Sequence, residues 1–137
     1  MDEVQTIHSQ LHHLSAVLAR ESDQILQEQL GIGLSQFKIL TTLADNPVAQ
    51  QRHIAVSLGQ TEASISRQVK LLHQKTMLES HKNPRNKRAH LTILTTKGNR
   101  IAEAAQKVLD TYQHSSLQHL SNKQRSQLHE ILAKIQR

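Results

Sequence analysis

Residues 51–72 read QRHIAVSLGQTEASISRQVKLL, and their spacing predicts two short helices joined by a sharp turn. Residues 51–58 place Ile54, Ala55 and Leu58 on one helical face, and Gly59 then supplies a residue that tolerates positive φ. Thr61 is positioned to cap a second helix running to about residue 74. In a helix-turn-helix the first helix needs a small residue where the second crosses it, and Ala55 fills that place. Ile65, Val69 and Leu72 form the inward stripe of the second helix. That leaves Ala63, Ser66, Arg67 and Lys70, at i, i+3, i+4 and i+7, on the opposite face. This stripe is small and basic, with no bulky apolar side chain to hold the helix out of a groove. A major groove about 12 Å wide admits one helix, and Arg can read guanine O6 and N7 bidentately. Ser64 and Ser66 suit base edges or phosphates, and the helix N-terminal amides near Thr61 suit a phosphate. Alone, the same pattern would also describe a solvated helix face.

Downstream the period changes. Residues 77–82 and 89–95 read as strands, the second alternating Leu91 and Ile93 with polar neighbours. Between them NPRNKR, residues 83–88, predicts a basic loop at a hairpin tip carrying Arg85, Lys87 and Arg88. Three cations on a short loop repel one another unless anions are near. Such a wing can lay Arg into a narrow minor groove, where the negative potential is strongest.

Working outward, residues 3–29 predict one long helix, with Val4, Ile7, Leu11, Leu14, Leu18 and Ile25 close to an a/d pattern and Glu21 interrupting it. Residues 34–44 form a second helix that Asn46-Pro47 stops. Residues 96–115 predict a fifth, and Ser121 with Gln124 makes the capping box of a sixth, whose narrow apolar face is Leu128, Ile131, Leu132 and Ile135. The fold class is therefore mostly α with a small β-hairpin: a winged helix-turn-helix over residues 34–96, flanked by long helices at 1–30 and 97–137. A central module of that size cannot cover both flanking stripes. A second copy of the chain can, so the pattern predicts a homodimer, the alternative being that the two stripes pack on each other within one chain.

Charge agrees with this division. Residues 52–100 hold ten Lys and Arg against Glu62 and Glu79, while the rest of the chain holds seven basic and nine acidic residues. The middle of the chain faces a polyanion. With one Phe, one Tyr and no Trp, the chain lacks the aromatic platforms of single-strand readers. The deep, narrow major groove of double-stranded RNA excludes a helix, which leaves double-stranded DNA. No apolar run approaches the length of a membrane span and no secretory signal opens the chain, so a cytoplasmic protein is expected. There is no cysteine, hence no disulfide or thiol switch.

At this point a resemblance is evident. QFKILTTLADNP (36–47), HIAVSLGQTEASISRQVKLLHQKTML (53–78) and NPRNKRAHLTILTTKG (83–98) resemble the MarR family of winged-helix regulators. The strongest pieces are Ser66-Arg67, Leu72, Pro84-Arg85 with Arg88, and Leu94-Thr95 with Gly98. The resemblance spans the chain. It implies a homodimer, recognition helices in successive major grooves of an inverted-repeat operator, wings in flanking minor grooves, and repression relieved by a small-molecule effector. Three positions depart from the family pattern. Asn86 stands where the family has the Asp that helps hold the wing arginine. Thr76 replaces the Gly that commonly ends the recognition helix, and Leu34-Ser35-Gln36-Phe37 lacks two residues often found before the Gln.

The chain has ten histidines. His8 and His12 stand at i, i+4, a spacing that can chelate a metal, yet no cysteine or carboxylate pair accompanies them. No metal or cofactor is expected, and a zinc-responsive regulator of the same fold is the alternative. A Ser/His/Asp set could be assembled only arbitrarily, so no enzyme is expected. A winged-helix protein-interaction module is the alternative from another class. Apolar residues on the recognition stripe and a neutral wing would mark it, and the sequence has neither.

Overall fold

The computed structural model describes residues 2–112 and 114–136, and of residues 86–90 the backbone alone. In chain order the elements are α1 (Glu3–Leu30), α2 (Leu34–Asp45), α3 (Gln51–Leu58), α4 (Glu62–Gln74), β1 (Leu78–Asn83), β2 (Asn86–Leu94), α5 (Thr96–Thr111), α6 (Ser115–Gln118) and α7 (Asn122–Ile135). The expected order of helices, helix-turn-helix and hairpin is present. The core sits where α2, α3, α4 and the hairpin meet the C-terminal half of α1 and the first turns of α5. Ile39 and Leu40 of α2, Ile54 of α3, and Ile65 and Leu72 of α4 are fully buried in it. Each such aliphatic side chain contributes about 1.5–3 kcal/mol relative to exposure.

Local signals set most helix ends. Asp2 Oδ1 accepts from Gln5 N at 2.9 Å to start α1. Ser121 Oγ accepts from Gln124 N at 3.1 Å, while Gln124 Oε1 accepts from Ser121 N at 2.9 Å, completing the expected capping box of α7. The start of α2 is different, because Gly33 has no side chain to cap with. Asp23, about two turns before the end of α1, supplies the missing acceptor: its Oδ1 takes the Leu34 N–H at 2.8 Å.

Two boundaries differ from the sequence reading. The fifth helix ends at Thr111, not near residue 115. Tyr112 is extended at φ −72°, ψ 125°, and α6 is a separate single turn opening at His114. No Gly or Pro marks that break. His114 Nδ1 lies 2.7 Å from Glu21 Oε2 on α1 and its ring meets Tyr112 edge-on, so a tertiary contact turns the chain. The hairpin also extends further than expected. The turn is Pro84-Arg85 alone, with Asn83 Oδ1 accepting from Arg85 N at 3.0 Å. Residues 86–88 are backbone of β2, so Lys87 and Arg88 do not stand on a loop. Antiparallel pairing runs from Leu78↔Leu94 to Lys82↔His90 and then slips to Asn83↔Asn86, which accommodates three extra residues of β2 as an irregularity. Thr92, a polar position in the alternation read from sequence, is the most buried residue of β2 described, at 2% exposure.

The junction of α4, β1 and α5 is tight. Thr76 takes the left-handed conformation, φ 59°, a backbone state that favours Gly. Met77 N donates to Leu72 O at 3.0 Å and Thr95 Oγ1 to Thr76 O at 2.7 Å, which hold it there. A Cβ on Gly98 would stand 2.2 Å from the Met77 carbonyl oxygen, so α5 can approach only with Gly at that position.

Outside the core, the N-terminal half of α1 and all of α7 contribute no buried residue. Val4 is 74% exposed and Ile135 61%, and Ile7, Leu11 and Ile131 are exposed as well. Leu11, Leu14 and Leu18 of α1 face Leu128 and Leu132 of α7 across an open apolar groove. No helix among the described residues is long and apolar enough to cross a membrane.

Candidate nucleic-acid interface

The helix-turn-helix forms as its residues dictate. Gly59 takes φ 64°, and the turn closes through Gln60 N to Ala55 O at 2.9 Å. Ala55, 3% exposed, lies at the crossing of the two helices. Gln60 Nε2 donates to Ser35 Oγ at 3.4 Å, tying the turn to α2. Thr61 Oγ1 accepts from Ser64 N at 3.1 Å, the expected cap that starts α4.

Helix α4 presents two faces. Ile65, Val69 and Leu72 are buried, whereas Ala63, Ser66, Arg67 and Lys70 are all exposed on the other side. Among the described residues no carboxylate forms an ion pair with Arg67 or Lys70. Ser64 is the exception in the candidate set. It is half-buried, and its Oγ donates to Gln60 Oε1 at 3.2 Å, which braces the turn. The Arg85 side chain is exposed at the tip of the hairpin. The side chains of Lys87 and Arg88, and of Asn86, lie outside the described residues.

An exposed, unpaired basic helix face beside a hairpin with a cation at its tip defines the class: a winged helix-turn-helix protein. Residues 30–89 match the sequence profile of the MarR family, covering the module from the end of α1 into β2. A relative, the HTH-type transcriptional regulator BilQ of Clostridium symbiosum (strain WAL-14163), is 26% identical over 112 residues, which are 82% of this chain and 76% of BilQ. Among solved structures, the apo form of MarR from E. coli superimposes with a TM-score of 0.78 at 24% identity, covering 93% of this chain and 97% of that one. A mutant MarR from E. coli complexed with operator DNA gives 0.72 at 25% identity over 100% of both chains. The S. aureus MepR–DNA complex gives 0.73 at 22% identity over 98% and 96%.

Several polar residues that shape the site were not evident in the sequence as functional. Asp23, Gln36, Gln68 and Lys75 meet where α1, α2 and α4 converge. Only the interruption of the apolar stripe at Glu21 hinted at a comparable contact, and it named no partner. His8 and His12 place their ring centroids 4.7 Å apart, and no group of three or more metal-ligating side chains occurs among the described residues.

Proposed function

We propose that the chain is a sequence-specific regulator of transcription that binds double-stranded DNA as a homodimer, and that it represses until a small-molecule effector releases it. The observation that carries this reading is the α4 face, where Arg67 and Lys70 stand exposed and without acidic partners. Uncompensated cations on a helix narrow enough for a major groove suit phosphates and guanine edges. Residues 34–96 act as the DNA-reading module. Residues 1–30 and 97–137 are the dimerising arms, because Val4, Ile7, Ile131 and Ile135 need a covering surface that one chain does not supply. Thr61, Ala63, Ser64, Ser66, Arg67 and Lys70 belong to the major-groove element, Arg85, Lys87 and Arg88 to the wing. MarR and MepR, two proteins of this fold, have each been solved with DNA, which supports DNA binding here.

The test is selection of duplexes from a random library by the purified protein, followed by affinity measurement. The expected product is an inverted repeat whose half-sites lie about 10 bp, one helical turn, apart. Recovery of no preferred sequence overturns the reading.

A further inference from the structure

Gln36 and Thr92 are the buried polar side chains of the described residues, and Gln36, at 8% exposure, is held from three sides. Its Oε1 accepts from Lys75 Nζ at 3.2 Å and from Gly33 N at 3.4 Å. Its Nε2 donates to Gln68 Oε1 at 3.2 Å. Both partners of Oε1 can only donate, so the network itself fixes which way the amide points. The same Lys75 ammonium donates to Gly31 O, at the C-terminus of α1, at 2.9 Å. Lys97, in the first turn of α5, donates to Lys75 O at 2.8 Å.

One amide and one ammonium therefore fasten α4 at its middle and at its end to the corner where α1 gives way to α2. Apolar contact alone does not explain a glutamine here. A methionine would fill similar space without burying an amide. Hydrophobic contact is also non-directional, so it leaves a packed helix freer to slide or turn about its neighbour. Hydrogen bonds between fixed atoms remove that freedom, and they cost stability if left unmade.

We infer that Lys75, seated by Gln36 and Gln68 of α2 and α4 and bonded to the C-cap of α1, is a positioning latch that sets the pitch of α4 against α1 and thereby the half-site spacing a dimer accepts. The inference rests on the DNA-reading homodimer proposed above. In such a dimer α1 belongs to the shared arms and α4 to the reading head. The angle between them within each protomer then fixes the separation of the two reading heads.

The experiment uses the full chain and the duplex it selects, remade with one base pair inserted or deleted between the half-sites. The latch is worth one to two hydrogen bonds, so the wild type should lose about tenfold in affinity on the altered spacings. Gln36→Met and Gln68→Met should lose no more than about threefold on them. Both should keep wild-type sedimentation and wild-type affinity for random DNA. Gln68→Glu, which preserves the acceptor for Gln36 Nε2, should retain the full spacing penalty. Gln68 is only half-buried, so Gln68→Met decides the matter if Gln36→Met fails to fold. A folded, dimeric Gln68→Met that keeps the wild-type penalty overturns the latch while leaving the DNA-reading role intact. A wild type that selects no duplex overturns both.

Discussion

His114 and Glu21 lie 93 residues apart in sequence, yet His114 Nδ1 stands 2.7 Å from Glu21 Oε2, joining the break after α5 to the middle of α1. Both side chains are about one-fifth exposed, so the contact is only partly screened by water. It also accounts for the one charged interruption in the apolar stripe of α1.

Removing Glu21 takes the carboxylate from a largely buried His114, whereas removing His114 leaves Glu21 only a long contact from Ser115 Oγ at 3.5 Å. Glu21→Ala should destabilise by about 1–2 kcal/mol, and the Glu21→Ala/His114→Ala double variant should fall short of additivity by about 1 kcal/mol. Chemical denaturation at one fixed protein concentration measures this, since dimerisation would make stability concentration-dependent. Full additivity would show that the contact contributes nothing.

Thr76 offers an opposite sign. A non-glycine residue in the left-handed region carries about 1–2 kcal/mol of strain, and glycine at that position forfeits about 0.5–1 kcal/mol in chain entropy. Thr76→Gly should therefore raise stability by roughly 0.5–1 kcal/mol. A lowered melting midpoint would mean that the bonds of Thr76 Oγ1 to Lys75 O and from Lys97 outweigh the strain.

On the uncovered arms, Ile135→Asp separates a monomer from a dimer. Ile135 is 61% exposed within one chain, where an aspartate would cost little. Buried against a second copy, the same charge is strongly unfavourable. Sedimentation should give twice the 15.5 kDa chain mass for wild type and a shift towards monomer for the variant. A monomeric wild type at micromolar concentration would refute the homodimer.

The two elements proposed to face DNA should respond differently to mutation. Arg67 lies exposed on the α4 stripe, so Arg67→Ala should cost about 1–3 kcal/mol on the selected duplex and relax preference at one base pair. Lys87→Ala should weaken selected and scrambled duplexes about equally and reduce the salt slope by about 1. Arg88→Ala should lose more on A·T-rich flanks than on G·C-rich ones. Salt titrations of the three variants against both duplexes decide it, and an Arg67→Ala indistinguishable from wild type everywhere would remove α4 from the major groove.

What the sequence determined by itself is what acts within a turn or so of chain. Gly59 and Thr61 each serve a backbone or cap position set by their immediate neighbours, as does the Ser121/Gln124 pair, and all three took their expected conformations. The inward stripe of α4 and the exposure of Arg67 and Lys70 opposite it followed from helical period alone. Tertiary structure decided the remainder, because those features depend on atoms brought together from distant elements. The break at Tyr112 has no local stop signal and follows from His114 meeting Glu21. The wing register also depended on a partner strand, since the pairing of Lys82 with His90 and Asn83 with Asn86 drew residues read as loop into β2. Asp23 capping α2 and Gln36 holding Gln68 and Lys75 belong to the same class. Polar side chains carry no period that points to a partner, so their pairing is fixed only once apolar burial has set the helices against one another.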